Sequence, residues 1–155
     1  MKIALLLLTV ALLPQIANAH VHDDWMTVHR VDVRTHELIH TASTTSTNHL
    51  AVLTIDCDKS VTLYEARDYL IASNPDDVWY SIDGNPYVRI KNDQLKHQAS
   101  VTTFVGSIKA IETLKTGNEL EYVVNNNVRG VKYSYHFSLN GMNDAYEALG
   151  ELCKW

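Results

Sequence analysis

Hydrophobic and polar residues alternate with a period of two along much of the chain. The clearest run sets Val131, Tyr133, Tyr135, Phe137 and Leu139 against Lys132, Ser134, His136 and Ser138, the pattern of a strand buried on one face. The same period fits Ala51, Leu53, Ile55 and Cys57, then Val61 and Leu63. It is weaker over Trp25 to Val33, Ser100 to Val105 and Glu119 to Val124. In VWYSIDGNPYVRI, Asp83-Gly84 separates two β-prone runs with the residues that favour a tight hairpin turn. Pro86 has no ladder donor, which predicts that this hairpin lies at a sheet edge.

Two stretches change to a helical period. GSIKAIETLKTG has Ser107 as an N-cap, Ile108, Ile111 and Leu114 on one face, and Gly117 as a stop. NGMNDAYEALGELCKW sets Met142, Ala145, Tyr146, Leu149, Leu152 and Cys153 along one stripe, with Asp144, Glu147 and Glu151 away from it. The Ser/Thr-rich TASTTSTN, the turn ASNPDD and the charged KNDQLKHQ read as loops, and no internal repeat occurs. The expected fold is α+β and mainly antiparallel β, a two-layer sandwich-like domain with a short helix and a C-terminal helix.

The N-terminus sets the compartment. Lys2, the apolar IALLLLTVALL and the small-x-small Ala17-Asn18-Ala19 read as a secretory signal peptide over residues 1–19, cleaved between Ala19 and His20. Its apolar core is too short for a stable span, and nothing later reaches the roughly 20 apolar residues that one requires. No lipobox cysteine follows and no Asn-x-Ser/Thr sequon occurs, so a periplasmic or secreted location is expected. Residues 20–155 match the common size of one domain. The chain carries 13 basic against 18 acidic residues, and losing Lys2 makes it more acidic. With no basic stripe, nucleic acid is excluded as an expected partner. Cys57 and Cys153 are the only cysteines, and an even pair in an oxidising compartment predicts one disulfide. Both fall on apolar parities, which predicts inward-pointing sulfurs and a terminal helix fastened onto a sheet.

Trp25, LAVLTIDC, VTLYEARDYL, VWYSIDGNPYVRI, one short helix and SYHFSLNGMNDAYEALGELCKW follow in an order that spans nearly the whole mature chain. In that order the chain resembles small exported proteins of the invasion-associated locus B and type VI secretion accessory (VasI/TagO-like) group. The specific parts are the strand ending in Cys57, the hairpin from Tyr80 to Pro86, and Phe137, Leu139 and Gly141 leading into a helix with Cys153 and Trp155. The resemblance implies a compact β-rich fold and an accessory or host-interaction role in the envelope, with no active-site pattern to carry over.

HELIH, residues 36–40, has the spacing of a zinc protease helix. On a helix its histidines would stand about 6 Å apart and share a metal; on a strand they would be about 13 Å apart. The flanks VHRVDVRT and TASTTST are rich in β-branched residues, which are poor helix formers. A metzincin would continue with glycine and histidine where Ser43 and Ser46 stand. Only residues 20–35 precede His36, too few for a zincin sheet, and the resemblance places a turn near Arg34 to Glu37. An extended or hairpin conformation is expected instead.

The mature terminus His20-Val21-His22 offers a free amine, two amide nitrogens and an imidazole, four nitrogens that can ring Cu(II) or Ni(II). His20 alone offers an amine and a ring nitrogen, to be completed by a distant histidine. His29, His49, His97 and His136 read as surface residues. DDW (Asp23 to Trp25) and NPDD (Asn74 to Asp77) lack regular calcium-loop spacing and read as solvated turns. No nucleophile elbow, phosphate loop or dinucleotide fingerprint occurs, so neither a catalytic residue nor a cofactor is expected. Trp79 and Tyr87 take the parity opposite to Val78, Tyr80, Ile82 and Val88. With Tyr64 they form either a binding face or packing against a second sheet. The functional expectation is an exported, non-enzymatic envelope or secreted accessory or protein-interaction module, whose partner is a protein or another envelope component. Metal capture at His20-Val21-His22 and zinc hydrolysis at HELIH are the alternatives.

Overall fold

The computed structural model of the chain describes residues 18–65, 77–90, 95–98, 101–105, 108–126 and 130–155, so most of the expected leader lies outside the described residues. In chain order the described strands and helices are β1 (Asn18–His22), β2 (Trp25–Val31), β3 (Leu38–Thr45), β4 (Ala51–Asp56), β5 (Ser60–Glu65), β6 (Asp77–Ile82), β7 (Val88–Ile90), β8 (Leu95–Gln98), β9 (Val101–Val105), α1 (Ile108–Thr116), β10 (Glu119–Asn126), β11 (Val131–Ser138) and α2 (Met142–Cys153). Among them, one sheet has the order β1-β2-β3-β4-β5-β9-β8 and the other β11-β10-β6-β7. Every pairing is antiparallel. This is the expected α+β architecture, mostly β with a short helix and a C-terminal one.

The alternation read from the sequence sets the inner faces. Trp25, Ala42, Leu53, Ile55, Val61 and Leu63 of the seven-stranded sheet share one core with Val78, Leu120, Tyr122, Val124, Tyr135 and Phe137 of the four-stranded sheet. Ile111 and Leu114 of α1 and Met142, Ala145 and Leu149 of α2 join it, each fully buried aliphatic side chain contributing about 1.5–3 kcal/mol. The Asp83-Gly84 turn has positive φ at both residues (53° and 69°), as a primed hairpin turn requires, and β7 is an edge strand.

Several expectations are corrected. TASTTSTN is not a loop: its first five residues lie in β3, with Ala42 and Thr44 buried and Ser46 buried just beyond. Threonine fits a pleated surface, and here its hydroxyl is satisfied, since Thr44 Oγ1 donates to Asp24 O at 2.8 Å. The stretch around His97 is also not a loop, because Leu95–Gln98 pairs with β9 at the sheet edge. Leu152 is exposed rather than part of the buried stripe of α2. The polar N-terminus is strand β1, paired with β2 through the two-residue turn Asp23-Asp24. That turn is tied to the β11–α2 junction: Ser138 Oγ donates to Asp24 Oδ2 at 2.6 Å and Trp25 Nε1 to Ser138 O at 2.9 Å.

Candidate functional sites

The outward face of the four-stranded sheet carries the first candidate. Register sets Trp79 opposite Val123 and Arg89, Val123 opposite Ser134, and Glu121 opposite His136. Trp79 and Tyr87 stand on this solvent side, not between the layers. With Val123, Asn125 and Lys132 they line a depression of about 290 Å³. Val123 faces outward, yet only 4% of it is exposed at the floor of this depression. The volume is at the lower limit of small-molecule pockets and suits one or two side chains of a partner.

Polar contacts fix the walls. Tyr87 Oη donates to Glu121 Oε2 at 2.5 Å and Ser134 Oγ to Glu121 Oε1 at 2.5 Å. These bonds, Ser134 first, lower the Glu121 carboxyl below its usual range, while the same carboxylate raises the Tyr87 phenol above 10.0. His136 Nδ1 lies 2.9 Å from Glu119 Oε1. Lys132 Nζ stands 5.9 Å from the Tyr87 ring centre and the Arg89 guanidinium 5.9 Å from that of Trp79, with Arg89 also ion-paired to Asp77. Tyr64 is not brought to this face. It is exposed on β5 of the other sheet.

The second candidate is a row of histidines on the seven-stranded sheet. HELIH is a hairpin, not a helix: Asp32 N donates to Glu37 O and His36 N to Asp32 O, each at 2.8 Å. Asp32 Oδ1 accepts from the Arg34 and Thr35 amides, and His36 sits in the turn at φ 58°. The turn places His40 opposite His29, with Nδ1 to Nδ1 2.8 Å and ring centres 5.0 Å apart. His20 follows diagonally across β1, its ring centre 6.0 Å from that of His29. Burial first, then the neighbouring His40 and His20, lower the His29 pKa below 6.5, which favours neutral imidazole. Surface reading thus missed a paired set. The signal for it was available, since His29 and His40 lie equally far from the Arg34-Thr35 turn.

His20 and His22 share one face of β1, held in register against Thr27 and Trp25. His22 Nε2 is buried without a hydrogen-bond partner among the described residues. A His20-Val21-His22 chelate would require β1 to leave β2. Among the described residues, no three histidine, cysteine, aspartate or glutamate side chains already stand in metal-ligand geometry. Asp23 lies in the β1–β2 turn, whereas Asn74 to Asp76 are outside the described residues.

Cys57 and Cys153 form the disulfide, with Cα atoms 5.4 Å apart. Cys153 is half-buried and packs against the core as expected, but Cys57 does not point inward: β4 stops at Asp56, and Cys57 opens an exposed turn beside the end of α2. Trp155 closes over it, its Nε1 donating to Cys57 O at 2.7 Å.

No family model and no curated protein matches the chain. Among solved structures, the fold is similar to the crystal structure of invasion-associated protein B from Bartonella henselae, with a TM-score of 0.64 and 13% identity, over 90% of this chain and 100% of that one. At that identity the likeness is one of fold. It lies on the invasion-associated side of the resemblance read from the sequence, and nothing found supports the type VI secretion side. No helix among the described residues is long and apolar enough to cross a membrane.

Proposed function

We propose that this chain is an exported, non-enzymatic interaction module, released by cleavage after Ala19, that binds a protein or other envelope component through the depression between Trp79 and Tyr87. The observation that carries this reading is the outward pair of rings around the nearly inaccessible Val123, at the edge formed by β7. Rigid aromatic walls around an apolar floor, with Lys132 and Arg89 at the rim, are the make-up of an interaction hot spot. The fold shared with a protein named for invasion association fits such a role.

Site-specific photocrosslinking in the producing cell tests the reading. A crosslinker at Tyr87 should give a defined adduct that disappears with Trp79→Ala, while one at Tyr64 on the other sheet should not. An adduct indifferent to Trp79→Ala, or equal labelling from both positions, would overturn this face as the site.

A further inference from the structure

The row His20, His29 and His40 has geometry that the aromatic face does not use. Two imidazoles on neighbouring strands point Nδ1 at Nδ1 across 2.8 Å, so one ring donates its proton to the other in the metal-free protein. The same separation is the chord between two cis ligands on one ion, about 2.8 Å for bonds of about 2.0 Å at a right angle. The shared proton can therefore be exchanged for an ion held to one side of the N–N line, once each ring swings by about 45° so that its lone pair turns from its neighbour to the metal.

The third ring stands near the pair without yet being in ligand geometry. An imidazole centre lies about 3.1 Å from a metal bound at its nitrogen, so two rings stand about 4.4 Å apart as cis ligands and about 6.2 Å apart as trans ligands. The observed 5.0 Å between His29 and His40 exceeds the first value, because the two rings point head-on at each other across 2.8 Å, so both must turn about their Nδ1 atoms to face one ion; the 6.0 Å between His20 and His29 is near the second. His20 is exposed, so its χ angles are free to complete the approach. Signal cleavage after Ala19 would add a fourth nitrogen, because an N-terminal histidine chelates through its α-amine and Nδ1 together.

We infer that processing at Ala19–His20 creates a Cu(II) or Ni(II) site formed by the amine and ring of His20 with the facing Nδ1 atoms of His29 and His40. The site keeps β1 paired with β2, unlike the His20-Val21-His22 chelate, and does not use His22. It goes beyond the interaction reading and shares with it only the cleavage position.

Copper titration of the chain beginning at His20, against a competing chelator, tests the site. One equivalent should bind, and pulsed electron paramagnetic resonance should count three imidazoles. His29→Asn and His40→Asn should each weaken binding by more than about 100-fold, beyond the 10- to 100-fold typical of losing an outer-shell partner. Retaining Ala19 should weaken it as well, and His22→Asn should leave it unchanged. Melting curves without copper report whether each variant folds, and the imidazole count needs no variant. Loss with His22→Asn but not His29→Asn, equal binding by all variants, fewer than three imidazoles, or a native terminus other than His20 would each overturn the inference.

Discussion

Gly141 stands against the backbone of His22: a Cβ on Gly141 would lie 1.9 Å from the His22 carbonyl oxygen. Gly141 also holds φ 82° at the N-terminus of α2, so any side chain there meets both steric conflict and an unfavourable backbone. The contact locks the β1–β2 turn against the start of α2. Gly141→Ala should destabilise the fold by about 2–4 kcal/mol, read as a fall in the urea midpoint. Gly84→Ala is the control: its φ is 69° but nothing lies within 4 Å, so about 1 kcal/mol is expected. Similar losses at both sites would show that the His22 contact does not matter.

The Cys57–Cys153 bridge joins residues 96 apart, and chain entropy credits closure of a loop of about 100 residues with about 4.7 kcal/mol. Native strain and residual unfolded structure make this an upper value. Against a typical total of about 5–15 kcal/mol it is still a large share. Reduction or Cys153→Ser should lower the melting temperature markedly. It should also free Trp155 from its tilted contact with Tyr146, where the ring centres are 4.8 Å apart, and so change tryptophan fluorescence. Two alkylatable thiols in natively exported, folded protein would refute the pairing.

Asp83 links the β6–β7 hairpin to the loop after α1, its Oδ1 accepting from the Asn118 and Glu119 amides at 2.8 Å each. The Glu119 bond first, then that of Asn118, lower the Asp83 carboxyl below 3.8. A depressed folded pKa contributes stability that is present above the unfolded value of 3.8 and lost as pH falls through the folded value. Asp83→Asn tolerates the positive φ, keeps one oxygen to accept from the two amides, and removes the charge together with the Oδ2 acceptor of the weaker bond from Asn118 Nδ2. The wild type should therefore have the higher urea midpoint at pH 7, with the difference shrinking towards about pH 2. A difference independent of pH would assign the effect to shape.

Strand β11 was readable because its polar and apolar residues alternate without exception, and the outward parity of Trp79 follows from the same rule. Strand β3 was hidden because Thr44 and Ser46 look like loop residues until their partners are known. Ser46 Oγ donates to Asn48 Oδ1 and accepts from Ala51 N, bonds that depend on the β3–β4 turn. Tyr64 was grouped with Trp79 because periodicity gives a residue's face but not its sheet. The His29–His40 pair depends on hairpin register, fixed by the Asp32 to Glu37 turn rather than by either histidine's neighbours.

The contact between Tyr87 and Glu121 makes the aromatic face measurable without a partner. Each group acts on the other: the hydrogen bond stabilises the Glu121 carboxylate and opposes a second negative charge on Tyr87. Ultraviolet difference titration of wild type against Tyr87→Phe isolates the Tyr87 phenol, which should ionise above 10.0. In Glu121→Gln its titration should move back towards 10.0, since the hydrogen-bonding carboxylate and its charge are both lost. If the face binds as proposed, Tyr87→Phe should keep the ring wall and most partner binding, whereas Trp79→Ala should lose it. A Tyr87 titration unmoved by Glu121→Gln would mean that the phenol is not held over Glu121 in solution and that the depression lacks its fixed wall.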